Sequence, residues 1–358
     1  MNRYRSVKVG NKIIGGNSPV SVQSMTNIPF TRYDELEKQA LDLQNAGCEI
    51  LRASVPDELS AEGFKKLRQK LDIPLVADIH FNYKLALAAM DSGADKIRIN
   101  PGNIGSENIK TVVRKAVENH IPIRVGINSG SLEKEILAKY GSPTAEALAE
   151  SALKNVKIVE ECGCEDIVVS IKSSNVKLMT ETYRLFDQMN ENRHPLHLGV
   201  TEAGTLKSGL IKNSVGIGSL LLDGIGSTIR YSLSADPVEE IYAANKLLRF
   251  LGLRNNGVEI VSCPTCGRTT VNTMELADKL ETALRDIEKP LKIAVMGCVV
   301  NGIGEAAEAD VGVTGADGKY IIFKKINGEV KIIDRDIAEN DIFDKIINYI
   351  RCNLLYFT

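Results

Sequence analysis

From residue 19 to about residue 251, short runs of β-branched and other apolar residues alternate with longer stretches in which apolar residues recur at helical spacing. Several helical stretches end in glycine, as at Gly47 and Gly93, where the chain turns into the next strand. The predicted strands cover residues 19–26, 48–55, 74–80, 95–100, 122–128, 166–174, 196–204 and 226–233. Eight consecutive strand–helix units close a parallel barrel, and no GxGxxG follows the first strand. The pattern therefore predicts an α/β fold with an N-terminal (β/α)8 TIM barrel, in preference to an open sheet.

The pattern changes after about residue 252. A strand running into two cysteines, a helix, a strand running into a third cysteine, a hairpin and a final helix are predicted at residues 258–266, 274–287, 292–298, 320–333 and 341–350. Asn327-Gly328 is the turn signal of the hairpin. We therefore predict two domains, a barrel over residues 1–252 and a smaller α/β domain over residues 253–358.

The composition narrows the classes of function. The 358 residues include 44 basic and 46 acidic side chains, a net charge of −2, with no polybasic segment. This balance and an aromatic content of 5% give no support for binding to nucleic acid or to a membrane surface. No apolar run approaches the roughly 20 residues of a membrane span, and the first residues lack the apolar core of a signal peptide. We therefore expect a cytoplasmic protein whose seven cysteines form no disulfide framework.

Five predicted barrel strands carry a basic side chain within or near their ends. These residues are Arg52, Arg98, Arg124, Lys172 and Arg230. Because barrel active sites lie at the carboxyl ends of the strands, we expect the five side chains to converge on one mouth. Unpaired cations are costly to bury without an anion, and arginine suits bidentate contact with phosphate oxygens. The set predicts a phosphorylated ligand with more than one phosphoryl group.

Polar residues share faces with these cations. Residues two apart on a strand face the same way, which places Asn128 and Ser232 beside the cations. By the same rule, Asp78 and His80 share a face. The alternative interpretation is that the cations form structural ion pairs with acids such as Asp78 and Glu202. His80 by itself fits a structural role as well as a catalytic one.

Three cysteines of the second domain are spaced like metal ligands. Cys263 and Cys266 form a Cys-x-x-Cys turn that preorganises two thiolates, and Cys298 lies alone in a glycine-rich loop. A structural zinc site needs a fourth ligand, which Cys352 can supply. Glu305 is the other candidate, because three thiolates and one weaker oxygen ligand describe an iron–sulfur cluster with a labile corner. Spacing alone leaves zinc, an iron–sulfur cluster and unligated thiols as alternatives.

Several motifs resemble those of one enzyme family. They are VSVQSMTN, AGCEILR, PLVADIHF, IRINPGN, IRVGINSGSL, HLGVTEAG, LLLDGIGSTIRYSLSADPVEE, CPTCGR and GCVVNGIGEA. In this order, over nearly the whole chain, the set resembles the 4-hydroxy-3-methylbut-2-en-1-yl diphosphate synthase family in its bacterial two-domain form. The resemblance implies an iron–sulfur oxidoreductase of non-mevalonate isoprenoid biosynthesis. Its reaction is the reductive ring opening and dehydration of 2-C-methyl-D-erythritol 2,4-cyclodiphosphate to 4-hydroxy-3-methylbut-2-enyl diphosphate.

The resemblance also implies roles for individual residues. One [4Fe-4S] cluster per chain is held by Cys263, Cys266, Cys298 and Glu305. The residues that match or adjoin the diphosphate-binding positions are Arg52, Arg98, Arg124, Asn128, Lys172, Thr201, Arg230 and Ser232. Glu202 matches the acidic residue beside the reacting carbons, so the implied catalytic residues are Glu202 and Glu305. Reduced flavodoxin or ferredoxin is the implied electron donor.

The order of the elements predicts an assembly. Each barrel helix runs back from the mouth, so the eighth helix ends at the opposite face, where the second domain begins. The linker at residues 251–257 is too short to carry a cluster around the barrel. We therefore expect a head-to-tail homodimer, in which each cluster caps the mouth of the other subunit.

Two other classes of function fit parts of the pattern. One is a phosphate-binding TIM-barrel lyase or transferase with a structural zinc domain, which predicts bound zinc and a colourless protein. The other is an iron–sulfur sensor that binds a phosphorylated ligand without converting it. A sensor predicts no consumption of substrate under reducing conditions.

Overall fold

The computed structural model describes residues 4–299, 308–326 and 328–356. The chain divides into two compact units, Met1–Arg254 and Asn255–Thr358. Two residues named in the sequence analysis, Glu305 and Asn327, lie outside the described residues. No described helix is both long enough and apolar enough to cross a membrane.

The first unit is a closed barrel of eight parallel strands. Two short strands precede it, β1 (Val7–Val9) and β2 (Lys12–Ile14). The barrel strands are β3 (Ser21–Met25), β4 (Ile50–Ser54), β5 (Leu75–Asp78), β6 (Lys96–Ile99), β7 (Ile123–Asn128), β8 (Ile167–Lys172), β9 (His197–Leu198) and β10 (Thr228–Ile229). Each strand neighbours the next along the chain, and β10 returns to β3. The predicted TIM barrel is confirmed, and each strand lies inside the segment predicted for it.

Helices follow the barrel strands, and their apolar faces pack in one core with the strands. They are α1 (Tyr33–Asn45), α2 (Glu58–Arg68), α3 (Tyr83–Asp91), α4 (Pro101–Ile104), α5 (Ser106–Glu118), α6 (Lys134–Tyr140), α7 (Ala145–Glu161), α8 (Val176–Met189), α9 (Leu206–Leu222) and α10 (Pro237–Phe250). Capping residues determine where several of these helices begin. The side chains of Asp57, Asn82 and Asn175 accept hydrogen bonds from backbone N–H groups in the first turns of α2, α3 and α8. Asp236 caps α10 in the same way, with Pro237 as its first residue.

The hairpin of β1 and β2 fills the amino-terminal end of the barrel. The two strands pair antiparallel, and their Val7, Val9 and Ile14 are fully buried. These side chains pack with Ile50, the first residue of β4, and Val168, the second residue of β8. This hairpin is not among the elements predicted from the sequence. Because apolar side chains fill this end, the polar interior of the barrel opens toward the carboxyl ends of the strands.

A tyrosine hydroxyl completes the ring where β8 meets β9. One parallel bridge joins Val169 on β8 to Leu196, the residue directly before β9. Tyr183 on α8 is fully buried, accepts a hydrogen bond from the Ile171 amide at 2.9 Å and donates one to the His197 carbonyl at 2.6 Å. Its hydroxyl therefore stands in for ladder hydrogen bonds that the short β9 does not make.

The second unit is a five-stranded mixed sheet packed against two described helices. Its elements are β11 (Val258–Ser262), α11 (Thr273–Ala283), β12 (Leu291–Met296), β13 (Val311–Ala316), β14 (Lys319–Ile326), β15 (Glu329–Ile337) and α12 (Glu339–Asn353). The strands follow one another in sheet order, with β11, β12 and β13 parallel and the rest antiparallel. Leucine and isoleucine side chains of the helices and the sheet form the core.

Strand β13 was missed by the sequence analysis because two glycines interrupt its apolar pattern. A Cβ at Gly312 would lie 2.4 Å from the ring of Phe323 on β14, so the glycine makes room for a cross-strand aromatic. The turn into β14 uses Asp317 and Gly318, both with positive φ, as two-residue hairpin turns require. The predicted hairpin of β14 and β15 is present, with Gly328 at φ 84°.

We predict that Tyr183→Phe lowers the free energy of unfolding of the barrel by about 2–4 kcal/mol, because the Ile171 amide and the His197 carbonyl would be left buried without a partner. The decrease in the free energy of unfolding is measured by urea titration, with hydrogen exchange of the Ile171 amide as the local readout. Tyr83→Phe is the matched control, since Tyr83 is only partly buried and makes no hydrogen bond to another described residue. Equal effects of the two substitutions would contradict the role given to Tyr183.

Candidate functional site

The structure brings the five predicted cations together inside the barrel. We call Arg52, Arg98, Arg124, Lys172 and Arg230 the cation cluster. The first four are buried on β4, β6, β7 and β8, and Arg230 follows β10 directly and is partly exposed. Alternation along the strands turns these side chains inward, whereas their apolar sequence neighbours pack against the helices.

Asp78 at the end of β5 is a carboxylate at the centre of this cluster. Its oxygens lie 3.9 Å from Arg52 Nε and 3.3 Å from Arg98 Nη1, and His80 Nε2 lies 3.4 Å away. Burial alone raises the pKa of Asp78, but Arg52, His80 and Arg98 outweigh it and bring the pKa below its ordinary range. The ion pairs that the structural interpretation predicts are therefore present for Arg52 and Arg98, and His80 belongs to the same network.

A second carboxylate, Glu240 on α10, holds Arg230. The guanidinium donates from Nε at 3.2 Å and from Nη2 at 3.3 Å to the two carboxylate oxygens. Ser24 Oγ and the Leu233 amide also donate to Glu240, at 2.9 and 3.1 Å. Glu240 is not among the residues predicted from the sequence, because nothing in the linear pattern marks it. Glu202, the acid named there as a partner, makes no ion pair with a described residue.

A methionine sulfur lies between two of the guanidinium groups. Met25 at the end of β3 accepts from Arg52 Nε and Nη2 at 3.1 and 2.8 Å, and from Arg230 Nη1 at 3.7 Å. A thioether is a weak acceptor that carries no charge. These donors are therefore held in place without being neutralised, and they remain available to a stronger acceptor.

Arg124 and Lys172 are not compensated. Neither side chain makes an ion pair with a described residue, and Arg124 Nε and Nη1 have no hydrogen-bond partner in the described part of the chain. Burial, reinforced by neighbouring cations, lowers the pKa of both groups well below its ordinary value. Because a guanidinium keeps its proton in proteins, Arg124 is thus a buried positive charge with no counter-ion among the described residues.

Two glycines make room for the cations. A Cβ at Gly126 would lie 2.6 Å from Arg98 Nε, and a Cβ at Gly199 would lie 3.0 Å from Lys172 Nζ. Gly126 lies on β7 between Arg124 and Asn128, and Gly199 directly follows β9. Both positions face the interior, where a side chain would displace a cation from the cluster.

A deeper polar layer was missed by the sequence analysis. Lys96 on β6 and His197 on β9 are completely buried, and neither Lys96 Nζ nor the ring nitrogens of His197 have a hydrogen-bond partner among the described residues. Gln23 on β3 is also completely buried, and neither its amide nitrogen nor its amide oxygen has a hydrogen-bond partner among the described residues. The feature of the sequence that could have identified Lys96 is its position two residues before Arg98, which places both side chains on one face of β6.

The other predicted residues lie at the carboxyl ends of neighbouring strands. Asn128 ends β7, and its amide oxygen, turned toward Arg98, accepts from Nη2 at 3.3 Å. Thr201 and Glu202 follow β9, and Ser232 follows β10. Glu202 is exposed and has a φ of 51°, a left-handed conformation that a non-glycine residue adopts at some cost. The predicted mouth is therefore lined by cations, an amide, hydroxyls and one exposed carboxylate.

The cluster is suited to a polyanion. Guanidinium groups offer several N–H donors in fixed directions, which match the oxygens of phosphoryl groups. Two carboxylates, Asp78 and Glu240, fix three of the cations, while Arg124 and Lys172 form no ion pair within the described part of the chain. The arrangement can bind a ligand that carries two or more negative charges.

The three predicted thiol ligands lie at one edge of the second unit's sheet. β11 and β12 run parallel with Ser262 opposite Val295, so Cys263 and Cys298 leave the sheet at the same end. The Cys263 amide donates to the Val295 carbonyl at 3.1 Å, which ties the Cys-x-x-Cys loop to β12. Cys266 follows in that loop and is exposed.

The chemistry of these thiols fits a metal cluster. The Thr265 amide donates to Cys263 Sγ at 3.3 Å, and the Arg268 backbone contributes most to lowering the pKa of Cys266. The lowered pKa of Cys266 favours its thiolate, the form that binds metal. In the ranges that the structure describes, no three His, Cys, Asp or Glu side chains are gathered closely enough to hold a metal ion. Glu305, the implied oxygen ligand, lies outside the described residues.

Two family models match the chain. The GcpE TIM-barrel domain matches residues 4–245, and the GcpE protein C-terminal domain matches residues 259–352. A protein of Caldanaerobacter subterraneus subsp. tengcongensis is 56% identical over 322 residues, 90% of each chain. A protein of Clostridium perfringens is 52% identical over 353 residues, 98% of this chain and 99% of that protein. Both are named 4-hydroxy-3-methylbut-2-en-1-yl diphosphate synthase (flavodoxin), which confirms the resemblance found in the motifs.

Solved structures share the barrel. A dihydropteroate synthase from Stenotrophomonas maltophilia has a TM-score of 0.52 at 12% identity, covering 69% of this chain and 97% of that chain. A type I 3-dehydroquinate dehydratase from Clostridium difficile has a TM-score of 0.50 at 17% identity, covering 70% of this chain and 98% of that chain. At these identities the likeness shows the fold alone.

We predict opposite effects on stability for two arginine substitutions. Arg124→Met removes a buried charge that forms no ion pair with a described residue, and it is expected to raise the free energy of unfolding of the barrel by about 1–3 kcal/mol. Arg230→Met leaves Glu240 buried without its cation and is expected to lower it by about 3 kcal/mol. Denaturant titration of the ligand-free protein measures both. Shifts of the same sign would mean that Arg124 is compensated in the folded protein.

Proposed function

The chain belongs to the GcpE family, and from this membership and the geometry of the barrel we propose that it reduces 2-C-methyl-D-erythritol 2,4-cyclodiphosphate to 4-hydroxy-3-methylbut-2-enyl diphosphate. The reaction breaks one ring C–O bond and releases water. It consumes two electrons and, with the product as its trianion, one proton. The observation that carries the proposal is the buried cation cluster, in which neither Arg124 nor Lys172 forms an ion pair with a described residue.

The diphosphate is bound by the cation cluster. Its negative charges compensate Arg124 and Lys172, and the guanidinium groups of Arg52 and Arg98 meet it from orientations fixed by Asp78. Arg230 is oriented by its bidentate contact with Glu240. The residues proposed to add hydrogen bonds at the rim are Asn128, Thr201 and Ser232. Donors held before the ligand arrives need no reorganisation when it binds.

Glu202 is the proposed acid beside the reacting carbons. It is exposed in the loop between β9 and α9, at the end of the barrel toward which the cluster opens. Its left-handed backbone aims the carboxylate from a fixed position. In that position it is suited to exchange a proton with the hydroxyl group that leaves as water.

One [4Fe-4S] cluster per chain is proposed, with Cys263, Cys266, Cys298 and Glu305 as its ligands. When bound, such a cluster supplies single electrons and a Lewis-acidic iron for cleavage of the C–O bond. The chain contributes the Thr265 N–H group to one sulfur and a pKa of Cys266 that is lowered mainly by the Arg268 backbone. The relatives' names favour this assignment over a barrel with a structural zinc.

Reduced flavodoxin is the proposed electron donor, because the relatives' names specify it. Ferredoxin is the alternative carrier. The cytoplasm, where such carriers and the soluble diphosphates of this pathway occur, is the proposed location.

A head-to-tail homodimer is proposed from the position of the chain where the first unit ends. Arg254 donates to the Val20 carbonyl at 3.0 Å and forms an ion pair with Glu49. Val20 and Glu49 immediately precede β3 and β4, so Arg254 lies at the amino ends of the strands, opposite the cation cluster. The second unit starts at Asn255. In the proposed dimer, this unit reaches the mouth of the partner subunit.

Metal analysis and turnover together test the function. Anaerobically purified protein is expected to contain about four irons per chain with matching sulfide, and to convert the cyclic diphosphate when reduced flavodoxin is supplied. Lys172→Met is expected to retain the iron and lose at least 100-fold in kcat/KM, about 3 kcal/mol of transition-state binding. Lys66→Met, on the exposed side of α2, is the control. One zinc per chain with no iron, or iron with no conversion, would overturn the proposal.

Mixed dimers test the assembly. Lys172→Met disables the proposed barrel site and Cys266→Ala the proposed cluster, so in a head-to-tail dimer one of the two mouths faces an intact cluster. Co-expressed, doubly tagged mixed dimers are expected to recover up to about half the activity per dimer of the wild type. Dimers of two Lys172→Met chains are the matched control. Mixed dimers as inactive as this control would place the mouth and the cluster in the same chain.

A further inference from the structure

Lys96 is a buried amine that the proposed reaction does not use. It lies on β6 with no exposed surface, and its Nζ has no hydrogen-bond partner among the described residues. Val76, its paired neighbour on β5, is apolar and packs with the N-terminal hairpin below. Above Lys96 on the same face of β6 is Arg98. The amine therefore lies between the apolar side chains of the N-terminal hairpin and the cation cluster.

The charges around Lys96 are mostly of one sign. The titratable and charged side chains of the surrounding interior strands are Arg52 on β4, Asp78 on β5, Arg98 on β6, Arg124 on β7, Lys172 on β8 and His197 on β9, with Arg230 and Glu240 beyond. Asp78 and Glu240 already pair with arginines. An ammonium group at Lys96 would therefore be a buried charge without a partner, among other cations.

Lysine can relieve this cost in a way that arginine cannot. A guanidinium keeps its proton in proteins, whereas a buried lysine can give its proton up and remain as a neutral amine. Burial, and then Arg124 and Arg52, lower the pKa of Lys96 well below its ordinary value. Burial also lowers the pKa of His197. An imidazole, however, is neutral near pH 7 and above even when its pKa has its ordinary value.

Binding of a diphosphate would make protonation of Lys96 favourable. The cyclic substrate carries two negative charges, and its binding to Arg124 and Arg52 offsets the two cations that act most strongly on Lys96. An amine in compensated surroundings returns toward the protonated form that lysine ordinarily has at neutral pH. Resting on the proposed function, we propose that Lys96 is a neutral amine in the ligand-free barrel and takes up one proton from solvent when the diphosphate binds.

The consequence is that affinity and pH are linked. A group that gains a proton in the complex makes binding strongest at low pH, and affinity falls as the pH rises above the free-state pKa. Between the free and bound pKa values, the loss is tenfold per pH unit for one proton. Lys96 would then add a positive charge beneath the diphosphate only while the ligand is present, and the empty barrel would be spared one buried charge.

Calorimetry measures the proton directly. The holoenzyme, without reductant so that no turnover occurs, is titrated with the cyclic diphosphate in two buffers of different ionisation enthalpy. Each phosphoryl group of this ligand carries one strongly acidic hydroxyl, so protons exchanged near neutral pH belong to the protein. Wild-type protein is expected to take up protons, and Lys96→Met to take up about one fewer, with a dissociation constant that rises more slowly with pH.

Two further variants complete the test. Lys66→Met, an exposed lysine of α2, is expected to behave like the wild type. Lys96→Gln replaces the amine if the methionine variant does not fold. Binding without proton uptake by wild-type protein, or equal uptake by wild-type and Lys96 variants, would overturn the inference and leave the proposed function standing. The absence of any binding would overturn both.

Discussion

The structure depends on holding more positive than negative charge inside a protein barrel. Five cations converge there, and Asp78 and Glu240 compensate only Arg52, Arg98 and Arg230 through ion pairs that the structure describes. Desolvation makes such an arrangement unfavourable in the empty protein. In the proposed function, the same charge contributes binding energy when an anion with two phosphoryl groups enters, and the barrel is preorganised for that ligand at the expense of its own stability.

The scaffold is built to tolerate this strain. The apolar hairpin of β1 and β2 fills the amino-terminal end, and the hydroxyl of Tyr183 joins β8 to β9 where the ladder is shortest. Gly126 leaves space for the Arg98 side chain. Met25 supports two guanidinium groups with an acceptor that adds no charge. Each feature positions a cation or closes the ring around the cluster, and none of them neutralises the site.

The proposed chemistry divides between the two units. We propose that substrate recognition belongs to the barrel, where the strands carry the cations, and that electron transfer belongs to the end of the second sheet where Cys263 and Cys298 leave parallel strands together. Arg254 anchors the end of the first unit at the barrel face opposite the cluster. The proposed head-to-tail dimer, in which each mouth meets the other chain's thiols, is argued from these positions and from the short linker.

The sequence by itself determined the barrel and the identity of its cations, because both follow from local periods: eight strand–helix repeats, and basic side chains two residues from other polar positions. It also supplied the cysteine spacing and the family resemblance. It did not show β13, whose glycines break the pattern, or the roles of Glu240 and Tyr183, which lie on helices. Only the tertiary structure decided which cations are paired and which amine is buried, because burial and charge compensation depend on side chains from distant strands meeting in one interior.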